Sequence, residues 1–292
     1  IQQLLEREYD ISIPAQELRA MTLFQLQKCV NNKGSSDPDA KVKISTNVPK
    51  GVALLMRNLG DEKNASQTIL KLESKSEEGV KALIIPGLEG MAGKAWYEVA
   101  KEMNYPTYIL QTGDTWNARN MDEIYNSVVE DVIKLYKDDM NYLIIGYSFG
   151  ALIALKITSA LEKLGKYGKV ILIDGAPKLL NTLALETFTR NFSEEDIRSI
   201  VLVNTIFACF PDDDGKVVRA TLSEKTWESR LKKLTDLYKD QKMYSEDYGV
   251  KMLNSLVNRL ILVANLDLKE FPTLNNSPTT LIRTTEYTLN DI

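Results

Sequence analysis

Residues 141–157, NYLIIGYSFGALIALKI, narrow the possible folds more than any other stretch of the chain. An apolar run leads into Gly146-Tyr147-Ser148-Phe149-Gly150, and a second apolar run leaves it. The first run reads as a strand buried on both faces. The second reads as a helix, and the bend between them is so tight that small residues are needed at 146 and 150. Strand, bend and helix together raise the Ser148 hydroxyl above the end of a sheet, with a helix N-terminus facing any charge that develops there. The plainer alternative is an ordinary strand-to-helix turn that happens to hold a serine.

The same alternation recurs along the chain. TILKLE, KALIIPG (81–87), TYILQ (107–111), KVILID (169–174) and TTLIR (279–283) read as strands. Helices are expected at 92–103, 121–138 and 149–164, the second with Ile124, Val128, Val132 and Leu135 at helical spacing. Repeated βα units of this kind imply an α/β fold with a mostly parallel sheet covered on both faces. Between 179 and 270 the strand signal gives way to helices, one of them capped by the Ser193–Asp196 segment. Trp227, Leu231, Leu234 and Tyr238 make one apolar stripe there, and Tyr248, Met252, Leu256 and Leu260 another. Such stripes are usually core, though a helical block inserted into a sheet can also roof a pocket. Ahead of the α/β region (51–292), residues 1–28 read as a short helical segment and 29–50 as a polar linker. Ile1 opens inside a helical pattern, so the chain is expected to begin within a longer protein.

Bulk properties exclude several classes. A net charge of −4 without a basic cluster argues against nucleic acid as partner. No apolar run approaches the ~20 residues of a membrane span, and the best candidate, LVNRLILVANL, is interrupted by Arg259 and Asn265. Cys29 and Cys209 are far apart and lack metal-type spacing, which suggests free thiols in a reducing compartment, with no metal site. The triplets at Asn64 and Asn191 match a glycosylation acceptor, and without a leader they read as chance.

If Ser148 is a nucleophile, two backbone N–H groups must hold an oxyanion. Phe149 supplies one, and the Gly-rich loop PGLEGMAGK (86–94) supplies the other, with Leu88 as the expected donor. A phosphate-binding loop is excluded by spacing, since Leu88 and Ala95 stand where Gly and Ser or Thr are required. Asp174 closes the strand KVILID at the sheet edge where chemistry gathers, and is the expected triad acid. A turn-forming Asp before Gly175 is the plainer reading of the same residue, and Glu286 and Asp291 are reserve acids. The chain contains no histidine, so the base such a serine needs is missing.

GYSFGALIAL, IIPGLEG and KVILIDGAP together resemble the thioesterase domain that ends animal-type fatty acid synthases. The upstream ISIPAQELRAMTLFQLQK is similar to the last helices of that enzyme's acyl carrier domain. The resemblance covers nearly the whole chain and is strongest at 81–178. It implies an α/β-hydrolase fold with a helical insert, preceded by a carrier-domain remnant. It also implies a Ser–His–Asp triad that releases a long-chain fatty acid from the carrier's phosphopantetheine thioester, with the insert's stripes lining an acyl groove. Ser148 would be the nucleophile, Asp174 the acid, and Leu88 and Phe149 the oxyanion donors. The family's His lies beyond the strand matching TTLIR, and its phosphopantetheine-bearing Ser lies ahead of the segment matching residue 1. The chain is therefore expected to be cut at its C-terminal end, inactive or nearly so by itself, and to carry no cofactor. Its parent would be a cytoplasmic homodimer acting on the acyl group of its own carrier domain. A thioesterase of a polyketide or peptide synthase, and a non-catalytic acyl-binding module, are the rival readings.

Overall fold

The computed structural model describes residues 65–112, 118–178, 180–181, 193–209, 215–238 and 245–283. The expected carrier remnant and linker, and Glu286 and Asp291, lie outside these residues. Among the described residues the strands are β1 (Ile69–Leu72), β2 (Ala82–Ile85), β3 (Thr107–Leu110), β4 (Asn141–Tyr147), β5 (Tyr167–Ile173) and β6 (Thr279–Ile282). They form one sheet in the order β1-β3-β2-β4-β5-β6. Every neighbouring pair is parallel except β1 with β3.

Three helices connect the central strands: α1 (Lys94–Glu102), α2 (Met121–Leu135) and α3 (Gly150–Lys163). Strand side chains alternate between faces, and both faces are covered. Leu83, Ile85, Ile144 and Leu172 pack with Ile124, Val128 and Val132 of α2 and Leu152, Ile157 and Leu161 of α3. Ala82, Ile84, Leu143 and Ile145 pack on the other side with Ala100, Trp96 and Tyr97 of α1. This double burial is why β2 and β4 are written as unbroken apolar runs.

The order places a reversal at the middle of the sheet. From β2 the chain crosses to β3 on one side; β4, β5 and β6 then extend from the other side. The segments leaving β2 and β4 therefore diverge, toward α1 on one face and α3 on the other. In open α/β sheets the crevice between two such segments, at the carboxyl ends of the strands, is where ligands bind.

The opposite edge of the sheet is closed by two lysines. Lys166 Nζ donates to the carbonyls of Tyr136 (2.8 Å), Lys137 (3.3 Å) and Asp139 (2.7 Å). Lys81 Nζ donates to Leu135 O (2.9 Å) and to the Asp139 carboxylate (2.7 Å). The last carbonyls of a helix have no partner within it, and cations near that end also complement its dipole. At the sheet margin, all four residues of β6 are exposed. Their approach is held by Glu162 of α3, which accepts from the Asn275 and Asn276 amides (3.0 and 2.9 Å) and from Ser277 Oγ (2.6 Å).

The expected helical insert is present as α4 (Glu194–Cys209), α5 (Lys216–Leu222), α6 (Trp227–Tyr238) and α7 (Glu246–Ala264), followed by a short 3-10 turn at Leu268–Glu270. Ser193 and Asp196 cap α4 reciprocally: Ser193 Oγ accepts from the Asp196 amide (3.2 Å), and Asp196 Oδ2 accepts from the Ser193 amide (2.9 Å). The apolar stripes meet one another. Trp227, Leu231, Leu234 and Leu256 lie in one buried cluster with Leu202 and Ile206 of α4. Leu260 packs there too, so these residues serve the insert's own core, whereas Tyr248 and Met252 pack against Met91 of the loop after β2; the Tyr238 side chain lies outside the described ones. No described helix is long and apolar enough to cross a membrane.

Candidate active site

Ser148 and Asp174 are the two non-glycine residues with positive φ among the described residues, at +50° and +46°. L-residues avoid this region because Cβ crowds the following carbonyl, at a cost of about 1–2 kcal/mol. Both stand one residue beyond paired strand ends: Tyr147 of β4 is opposite Ile173 of β5. The Ser148 amide donates to Ile173 O (2.8 Å), and the Asp174 amide donates to Ile282 O of β6 (2.9 Å). Three adjacent parallel strands thus fix Ser148 and Asp174 from the backbone outward. Both side chains are half-buried.

Glycines make the bend possible. A Cβ on Gly150 would come within 2.2 Å of Pro86 O and 2.3 Å of Ile85 O, so the first turn of α3 presses on the end of β2. Gly175 is equally confined, its missing Cβ falling 2.3 Å from Ser148 O. The sequence motif called for Gly150; Gly175 went unread, because its neighbour is across the sheet rather than along the chain.

The contact at Gly150 brings Phe149 beside the loop that leaves β2. In that loop Glu89 turns inward and is buried, 5% exposed. Its Oε1 accepts from the Gly87 amide (3.1 Å) and from the Trp96 indole (3.0 Å). Trp96 in turn meets Tyr147 edge-on, with ring centroids 5.7 Å apart. With the Gly87 N–H engaged, the next one along is that of Leu88. Among the described residues no backbone acceptor is found for either the Leu88 or the Phe149 N–H. Two free donors at the switch-point crevice are what an oxyanion requires.

The loop is fixed from two more sides. Gln111 and Thr112, which follow β3, bind it from the sheet: Gln111 Oε1 accepts from the Ala92 amide (3.0 Å), and the Thr112 amide donates to Gly90 O (3.0 Å). From the insert comes Arg259 on α7, 2% exposed. Its Nη1 donates to Leu88 O (2.7 Å), and its Nη2 donates to Thr112 Oγ1. A Cβ on Gly90, whose φ is +63°, would fall 2.3 Å from Arg259 Nη1. Burial pulls the Arg259 pKa down to about 10, against the opposing pull of the Glu89 carboxylate, so the guanidinium is charged at neutral pH. The side chain of Leu88 packs against both the sheet core and the insert core, and Met91 packs against Tyr248 and Met252. The insert thus rests directly on the loop.

Four of these residues were not found in the sequence as part of a site: Arg259, Glu89, Trp96 and Thr112. One signal was available. An arginine inside the apolar stretch LVNRLILV is costly to bury unless its donors are met, so it marks a buried polar contact as well as a break in an apolar span. Among the described residues no imidazole stands beside Ser148, since the chain has none.

Searched against models of known protein families, the chain matches none. Among solved structures it is similar to the thioesterase domain of NocB, in covalent complex with a fluorophosphonate nocardicin G analogue. That likeness has 17% identity, a TM-score of 0.46, and covers 73% of this chain and 76% of that one. It is also similar to MGS-M2, an α/β-hydrolase enzyme from a Medee basin deep-sea metagenome library (12% identity, TM-score 0.38, covering 74% and 85%). The class is defined by the molecule itself. A mostly parallel sheet with helices on both faces, and a strained serine on the bend from β4 to α3, make this an α/β-hydrolase fold.

Proposed function

We propose that the chain is the thioesterase part of a fatty acid synthase of the animal type, and that Ser148 takes the long-chain acyl group from the acyl carrier's phosphopantetheine thioester. The observation that carries the reading is the pair of strained residues, Ser148 and Asp174, side by side at the switch-point crevice. Strain of this kind concentrates at functional sites.

In this reading Ser148 Oγ attacks the thioester carbonyl while a base removes its proton. The carbonyl oxygen becomes an oxyanion held by the Leu88 and Phe149 N–H groups. The C–S bond then breaks; the departing thiol, with a pKa near 8.5, leaves as thiolate with little help from an acid. Water cleaves the acyl-serine by the same route and restores the hydroxyl. The base must come from outside these 292 residues, and Asp174 would orient it and stabilise its charged form. Removing a triad His costs on the order of 10⁶ in turnover, so the chain alone should show only a trace. Residues 1–28 would be the end of the carrier, 29–50 its linker, and the parent a cytoplasmic homodimer.

A non-catalytic acyl-binding module is the second reading, and the absence of histidine favours it. Free imidazole separates the two. The enzymatic reading expects Ser148 to be labelled by a long-chain alkyl fluorophosphonate, faster as imidazole is added, and not at all in Ser148→Ala. A long-chain acyl thioester should be hydrolysed with the same dependence. Labelling that ignores imidazole, or survives Ser148→Ala, overturns it in favour of a binder.

A further inference from the structure

We propose that Arg259 is a positioning residue that ties the helical insert to the oxyanion loop, so that the Leu88 N–H is competent only when α7 is docked. The inference rests on the reading of Ser148 as an acyl-accepting nucleophile. Three observations carry it. The guanidinium is buried yet belongs to the insert, and one of its arms holds the carbonyl of Leu88 itself. Its other arm holds Thr112, whose amide donates to Gly90 O in the same loop. Gly90 carries no side chain, and any Cβ there would collide with the guanidinium, so loop and arginine are fitted to each other.

The apolar contacts of Leu88 and Met91 with the insert would hold the two bodies together without Arg259. A hydrophobic contact, however, fixes no peptide orientation. Arg259 Nη1 fixes the carbonyl of Leu88 directionally while Nη2 anchors the guanidinium on Thr112, and the Leu88 N–H is constrained through the Cα it shares with that carbonyl. Arg259 touches no reacting atom. It acts through the loop, and any segment of the acyl chain that displaced α7 would also displace an oxyanion donor.

The test measures the maximal rate of Ser148 phosphonylation by an alkyl fluorophosphonate at saturating imidazole, and the concentration giving half that rate. Arg259→Met should lower the maximal rate on the order of 10- to 100-fold, the scale of a misplaced or lost donor. The half-saturating concentration should change less than about two-fold, because an interaction felt mainly in the transition state affects rate rather than binding. Arg259→Lys, which can meet one partner and not both, should fall between. Thr112→Val provides a second route should Arg259→Met fold poorly, and should lower the same parameter. Amide exchange of residues 87–92 should rise in both variants while β4 and β5 stay protected.

A maximal rate equal to that of the unaltered chain in either variant overturns the proposal, as does a change confined to half-saturation. If the unaltered chain is not labelled at all, the nucleophile reading has failed instead. Exchange then decides: faster exchange confined to 87–92 upholds the tether, and unchanged exchange there removes it.

Discussion

The two ends of the sheet each bury a cation, and the two are used differently. At the end remote from the crevice, Lys166 donates to the carbonyls of Tyr136, Lys137 and Asp139 in the turn that follows α2, and the Lys81–Asp139 pair stands beside it. Each group there completes another, and every non-glycine residue described around it has negative φ. At the crevice end Arg259 holds two partners, while its Nε has no acceptor among the described residues. Around that end lie both strained non-glycine residues and three glycines pressed against backbone or guanidinium. Burial of charge alone therefore says nothing about function. Burial combined with backbone strain and crowding marks the end where geometry has been chosen over stability.

Substitutions at three positions probe the contrast. The largest effect belongs to Gly150→Ala, which drives a methyl on the first turn of α3 into the carbonyls of Ile85 and Pro86 at the end of β2. Both are backbone atoms rather than the ends of flexible side chains, so we expect a loss of about 3 kcal/mol, read as a urea midpoint. A stability near that of the unaltered chain would show that β2 and α3 are not in contact as described. Next, Lys166→Met takes the donor from the Lys137 and Asp139 carbonyls past α2, while Tyr136 O keeps the Asp139 amide, and should cost about 2 kcal/mol, yet leave the rate of Ser148 phosphonylation untouched. If labelling slowed as much as in Arg259→Met, the two ends would be coupled and the contrast lost. The smallest effect is of opposite sign. Ser148→Gly relieves the left-handed strain but loosens the unfolded chain, a net gain of about 0.5 kcal/mol, with all labelling abolished. Ser148→Ala, which keeps a Cβ at φ +50°, should not share the gain. Equal thermal midpoints for the Gly and Ala variants would mean that no strain resides there.

What could be read beforehand follows the same division. β2 and β4 are legible because burial on both faces writes them as unbroken apolar runs. The serine bend was legible because strand, bend and helix are contiguous. Arg259 was not, for its partners Leu88 and Thr112 are 171 and 147 residues distant. Glu89 sat inside a loop read for its glycines, and its inward turn depends on Trp96 of the next helix. The stripes of α6 and α7 were visible as stripes. That Leu256 and Leu260 meet α6 while Tyr248 and Met252 meet Met91 depends on packing that periodicity does not encode.

Gly175 has a bearing on descent as well as on architecture. Its bare Cα lies against the carbonyl of Ser148, with Ala151 crowding from the side. While the serine keeps its unusual posture, position 175 has no freedom to drift. A lineage that gave up the chemistry could relax the bend, and a side chain could then accumulate at 175. Within relatives sharing this fold, the residue behind the counterpart of Asp174 should report whether the strained bend is still maintained, even where the serine has been retained.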